Sequence, residues 1–169
     1  MDFKLSETQK SLQENARKFA NNELLEIAKE IEKTNIPPSE DLLKRYAELG
    51  FLGINLSTDY GGVGLSHFDA VLVLEEIAKI SIAVAFPIFE SCFGPTLAIS
   101  HFAPMELRKR IIPDVCSGKK IIAVSMSEPN AGSALTDLST KAEVLGDKVI
   151  LNGQKRWCSG AGHADAYVV

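Results

Sequence analysis

The chain has 169 residues, 46% of them apolar and 24% charged, with a net charge of −4. A chain of this size buries a real core and forms one domain or two small ones, and its apolar share excludes a disordered polymer. Without a basic excess, nucleic acid is not an expected partner, although backbone N–H groups can still cradle a small anion.

The opening Met1-Asp2-Phe3-Lys4-Leu5 lacks a basic segment followed by an apolar one, so no signal peptide is expected. The first half then reads as helices. Ser6 and Gln9 have capping-box spacing, and Leu12, Ala16, Phe19, Leu24, Ile27 and Ile31 recur at helical intervals. That pattern predicts one long amphipathic helix ending before Pro37-Pro38. Ser39 caps a second helix carrying Leu42, Leu43, Tyr46 and Leu49, closed by Gly50. A glycine-rich loop with Gly53, Gly61, Gly62 and Gly64 follows. Ser66 and Asp69 open a third helix, expected to run to Ala83. A fourth is expected over residues 88–101, and Pro104 opens a fifth through Ile112. The least polar stretch, residues 80–89, is about ten residues, half of what a bilayer span needs, so it is expected to be a buried helix and no membrane span is expected.

After Gly118 the texture changes. Residues 120–127 are apolar and β-branched, residues 138–144 alternate, and Gly146-Asp147 and Asn152-Gly153 mark turns around another strand. Residues 154–158 and 164–169 are further predicted strands. Helices followed by strands give an α+β chain, with a helical domain over 1–119 and a β unit over 120–169. The sequence stops inside an apolar strand, which leaves unpaired backbone groups. The expectation is a front part of something longer, or one obligately paired with another piece. Cys92, Cys116 and Cys158 are odd in number and match no zinc or disulfide pattern, which points to a reducing, cytoplasmic compartment.

Two segments carry candidate chemistry. In the first, Ser125-Met126-Ser127-Glu128-Pro129-Asn130-Ala131-Gly132-Ser133, a strand ends in hydroxyl residues and a small-residue loop follows. Such a loop lets backbone N–H groups approach a planar cofactor or a pyrophosphate closely, although small-residue loops are usually only turns. In the second, Lys155-Arg156-Trp157-Cys158-Ser159-Gly160, a Trp is followed two residues later by a hydroxyl. A lone Trp is more often core, but an indole also offers a face to an aromatic ring system. On a strand, Trp157 and Ser159 would share one face.

Together and in this order the segments resemble the acyl-CoA dehydrogenase family. That family has a Thr-Glu-Pro-Gly-Ala-Gly-Ser-Asp type signature, then a hairpin, then Asn-Gly-x-Lys-x-Trp-Ile-Thr. The resemblance extends through Leu5-Ser6-Glu7, Glu48-Leu49-Gly50-Phe51-Leu52-Gly53-Ile54, Tyr60-Gly61-Gly62-Val63-Gly64-Leu65 and Glu75-Glu76-Ile77-Ala78, so it covers essentially the whole chain. It implies a helical N-terminal domain, the beginning of a β-barrel-like middle domain, and a C-terminal helical domain that is absent.

By position, the resemblance implies FAD contacts from Val124, Met126, Ser127, Gly132, Ser133, Trp157, Cys158 and Ser159. Ser127 stands where a Thr usually bonds the isoalloxazine edge, and Trp157 is expected to pack on the flavin ring. Ser159 replaces the Thr expected near N5, where a hydrogen bond tunes the cofactor. Gly132 and Ser133 are expected near the FAD phosphates and the acyl-CoA, and Ser133 is the candidate substrate contact. Asn130 replaces a usual Gly, Ala134 a usual Asp, Cys158 an Ile, and Val124 a common aromatic. The change after Ser133 is expected to loosen the loop or mark a divergent subfamily.

The implied reaction is α,β-dehydrogenation of an acyl-CoA by hydride transfer to FAD. The base lies in a later domain, so this stretch alone is expected to be inactive. Electron-transfer flavoprotein or a similar acceptor and a homo-oligomeric full-length protein are the implied partners. Related flavin oxidases or monooxygenases, and a non-catalytic half that binds acyl-CoA or a partner, are the alternatives. Other residues read as structural. His67, His101 and His163 are scattered, and Glu75 and Glu76 diverge by about 100° on a helix and form no dyad. Glu128 is read as structural or close to the cofactor, and Cys158 as an inert thiol.

Overall fold

A computed structural model describes residues 4–169, so the start of the N-terminal segment read above, Met1, Asp2 and Phe3, lies outside the described residues. The first helix, α1 (Glu7–Phe19), begins at the expected capping box: Gln9 N donates to Ser6 Oγ at 3.2 Å and Ser6 N to Gln9 Oε1 at 3.0 Å. The expected single long helix is instead interrupted by a π turn, Ala20–Leu24, before α2 (Leu25–Thr34). The apolar positions explain the interruption. Phe19 and Leu24 are five apart and both buried, and a wider turn brings i and i+5 onto one face. Asn35 ends α2 in the left-handed conformation, at φ 54°.

Helix α3 (Glu40–Glu48) starts where Ser39 Oγ accepts from Leu42 N at 3.3 Å. A loop that buries Phe51, Leu52, Ile54 and Leu56 leads to α4 (His67–Ala78), opened by the Ser66–Asp69 capping box. Helix α4 ends five residues before the expected Ala83, because the Ser81 hydroxyl caps a new helix, α5 (Ile82–Cys92). The expected helix over 88–101 is likewise divided. Gly94 breaks it and Pro95 restarts it as α6 (Pro95–Phe102). Helix α7 (Met105–Cys116) follows, with Pro104 at the cap rather than the first turn. The run Ile82–Phe102 is 21 residues, long and apolar enough by length and composition to cross a membrane, with half of it buried inside the protein. The ten-residue count from sequence stopped at Phe89 and missed this continuation.

The helices enclose an aromatic centre. The Phe19 ring meets those of Tyr46 and Phe51 edge-on at 5.8 Å each, and Tyr46 Oη donates to Val84 O at 2.8 Å. Leu24, Val73, Ile77 and Ile88 pack around them. Helix α1 is held to α4 by a buried carboxylate: Arg17 Nε and Nη2 each donate to Glu76 at 3.1 Å, and Lys79 Nζ adds a bond at 2.8 Å. A second cluster (Leu56, Ile99, Ile112, Val115 and Ile122) joins α6 and α7 to the first strand.

Strand β1 (Ile122–Val124) is shorter than the stretch read from residues 120–127. It pairs in parallel with β4 (Ala166–Val168), Ile122 opposite Ala166 and Val124 opposite Val168. Between them, β2 (Lys141–Leu145) and β3 (Lys148–Asn152) form an antiparallel hairpin turned at Gly146, and every residue of the two strands is exposed. Residues 154–158 form no strand. Gly153 at φ 155° and Trp157 at φ 61° turn the backbone out of the extended path, so strand alternation does not set where Trp157 and Ser159 face.

Candidate functional site: a loop pair at the end of β1

Parallel pairing with β4 delivers the chain to the first motif, where Ser125 N donates to Val168 O at 2.8 Å. Val124 is half-buried at the end of β1, while Met126 leaves the strand with its side chain 45% exposed. Beyond half-buried Ser127, the turn over Pro129-Asn130 is closed by Glu128 N donating to Ala131 O at 2.7 Å. Gly132 and Ser133 are exposed beyond it. A Cβ added at Gly132 would meet nothing within 4 Å, so the backbone there presents open space on one side.

Glu128 fastens this loop. Its buried carboxylate accepts from Ser139 N and Ser139 Oγ, both at 2.7 Å, from Thr140 N at 2.9 Å and from Lys155 Nζ at 3.0 Å. The Thr140 and Ser139 donors hold its carboxyl well below the usual carboxylate range. Lys155 Nζ also donates to Met126 O at 3.1 Å, and Arg156 N donates to Ser127 O at 2.8 Å. The two motifs therefore lie side by side, crosslinked through main chain and side chain.

The second motif then turns sharply. Trp157 is 77% exposed in a left-handed conformation that a bulky residue rarely adopts, and the Arg156 guanidinium stands 4.2 Å from the centre of its ring. Strain of this kind concentrates where a side chain must be presented. Cys158 is half-buried and free, and Ser159 is exposed. Gly160 backs onto β1 so closely that an added Cβ would lie 2.5 Å from the Ala123 Cβ. The turn is pinned by Asp165, whose N donates to Ile121 O at 2.9 Å while its carboxylate accepts from Ile121 N at 2.8 Å.

Ser127, Met126 and Trp157 are thus joined through the Lys155–Arg156 crosslink. Val124 lies within the β1–β4 pair, and Gly132 and Ser133 are on the exposed limb of the first loop. Sequence reasoning missed Lys155 and the Ser139–Thr140 donors as the partners of Glu128. The Lys of the second motif was in view, but nothing local showed which acid it meets.

The exposed surfaces suit a flat, aromatic, phosphate-bearing cofactor. Trp157 and Met126 offer apolar faces, Ser127, Ser133 and Ser159 offer hydroxyl groups, and Gly132 leaves room for close backbone approach. His67, His101 and His163 join no cluster that could hold a metal among the described residues.

The acyl-CoA dehydrogenase N-terminal domain matches residues 6–119 and the middle domain of the same enzymes matches residues 123–169. The chain belongs to the acyl-CoA dehydrogenase family. It is 37% identical to the mitochondrial isobutyryl-CoA dehydrogenase of Dictyostelium discoideum over 98% of this chain and 39% of that protein. Among solved structures, a glutaryl-coenzyme A dehydrogenase in complex with glutaryl-CoA superposes with a TM-score of 0.91 at 33% identity, covering 99% of this chain and 43% of that one. The FAD complex of PigA gives 0.89 at 30% identity, over 99% and 44%. The chain spans about two fifths of the length of the relatives it matches.

Proposed function

We propose that the protein is an FAD-dependent oxidoreductase that removes the α and β hydrogens of an acyl-CoA thioester. The observation that carries this reading is the exposed, strained Trp157 crosslinked to the Ser127 loop within a chain of the acyl-CoA dehydrogenase family. When bound, the flavin supplies the two-electron acceptor for the hydride leaving the β carbon. Trp157 and Met126 would offer apolar surface to its ring system. Ser127 and Ser159 would offer hydroxyl groups to hold its polar edge, and Gly132 and Ser133 would leave room for its phosphates and the thioester.

The α proton needs a carboxylate base. Glu128, the carboxylate inside the motifs, is consumed by four donors and held ionised, so it is not offered as that base, which is proposed to lie in the part of the relatives' length that this chain does not span. The whole protein hands its electrons to an electron-transfer flavoprotein or a similar acceptor. It assembles as a homo-oligomer, which the exposed apolar residues Ile82, Phe89 and Phe102 support. The three free cysteines support a reducing, cytoplasmic setting.

Mixing the FAD-loaded chain with isobutyryl-CoA tests the reading. A perturbed flavin spectrum without bleaching is expected. Bleaching by this chain alone would overturn the assignment of the base, and a chain that holds neither flavin nor thioester would overturn the whole reading.

A further inference from the structure

Arg156 stands at an open position of the Asn-Gly-x-Lys-x-Trp pattern, so the family resemblance assigns it no role. Its main chain is fixed. Arg156 N donates to Ser127 O at 2.8 Å, and the preceding Lys155 is bound to Glu128 and to Met126 O. Its side chain is exposed, and among the described residues no acid pairs with its guanidinium. The guanidinium instead lies 4.2 Å from the centre of the Trp157 ring. Arg45 differs on both counts: it stands 5.8 Å from the centre of the Phe19 ring, and its nitrogens are spent on Glu23 and Glu48.

Trp157 is 77% exposed in a left-handed turn, so the core does not hold its side chain in one rotamer. An exposed indole that must stop moving when a ligand arrives loses side-chain entropy. A neighbour that holds it beforehand removes part of that cost. A guanidinium over a ring face holds by its charge and by its flat shape. It also closes that face to any other ring, which leaves the opposite face to a stacking ligand.

We propose that Arg156 is a positioning residue for the flavin: its guanidinium holds the Trp157 indole from one face and keeps the opposite face ready for the isoalloxazine ring. This role rests on the FAD reading above. The competing reading is that the guanidinium leaves the indole and pairs directly with a phosphate of the cofactor.

The test compares FAD with riboflavin, which carries the same ring system and no phosphate. Both are titrated against the parent chain, Arg156→Met, Trp157→Ala and the variant carrying both substitutions. Trp157 is the sole tryptophan, so the emission anisotropy of the unliganded chain reports on this indole alone. Arg156→Met is expected to lower that anisotropy and to weaken FAD and riboflavin by the same factor, about two- to fivefold. Added to Trp157→Ala, it is expected to change neither affinity further. A loss confined to FAD would move Arg156 to the phosphate and overturn the proposal. Unchanged anisotropy, unchanged affinities, or an equal loss in the Trp157→Ala background would overturn it as well, because Arg156 would then not act through the indole. Failure of the FAD reading has a separate signature, a parent chain that binds neither flavin, and this role would fall with it.

Discussion

The side chains of Glu128 and Lys155, 27 positions apart in the sequence, meet at 3.0 Å with only 3% and 16% of their surfaces exposed. This pair joins the two segments proposed to hold the flavin, and the same lysine caps the Met126 carbonyl. Lys155→Met removes both bonds and leaves the helical core untouched. Flavin affinity is expected to fall by about tenfold, measured by flavin absorbance, with little change in the melting of the helical part.

Glu128 also sets an acid limit. Its folded value is depressed by the surrounding donors, so its contribution to stability is present above the ordinary carboxylate value and is lost as the pH falls below it. The 125–133 loop is expected to loosen in acid before the helices melt. Glu128→Gln is expected to abolish that step, as amide exchange of Ser139 and Thr140 against pH would reveal.

Glu90 acts in the opposite sense. Its folded value, about 7, is raised above the ordinary 4.5 by burial. Its contribution is therefore fully present below the ordinary value and lost as the pH rises through the folded one. Urea unfolding is expected to show about 2 kcal/mol less stability from this group at about pH 8 than at about pH 5, and Glu90→Gln is expected to flatten the difference.

Two packing changes separate the core from the site. Tyr46→Phe removes the buried 2.8 Å bond to Val84 O and is expected to cost about 1 kcal/mol in urea unfolding without altering flavin affinity. Gly160→Ala drives a methyl group into Ala123 and pushes the turn carrying Ser159 away from β1. It is expected to cost about 1–3 kcal/mol and to weaken flavin binding, measured by the same titration.

The local parts of the fold were legible in the sequence, and the non-local parts were not. Ser6 with Gln9, and Ser66 with Asp69, announce helix starts because a cap depends on residues three apart. The π turn escaped notice because one wide turn barely disturbs a helical pattern taken over many residues. The break at Gly94 was hidden by apolar residues on both sides of it. Trp157 reads as a strand residue because its neighbours alternate, yet it stands at φ 61° just before a turn. The parallel partner of β1, the acid that Lys155 meets and the unpartnered Glu90 carboxyl all depend on long-range placement that no local spacing records.

Trp157 is the sole tryptophan of the sequence, so its emission reports on the proposed flavin surface alone. Titrating FAD while following that emission and the flavin absorbance tests the central claim most directly. The account predicts saturable quenching of Trp157 that tracks the absorbance change, with weaker binding in Trp157→Ala. FAD that binds without altering Trp157 emission, or that binds Trp157→Ala as well as the parent chain, would contradict it.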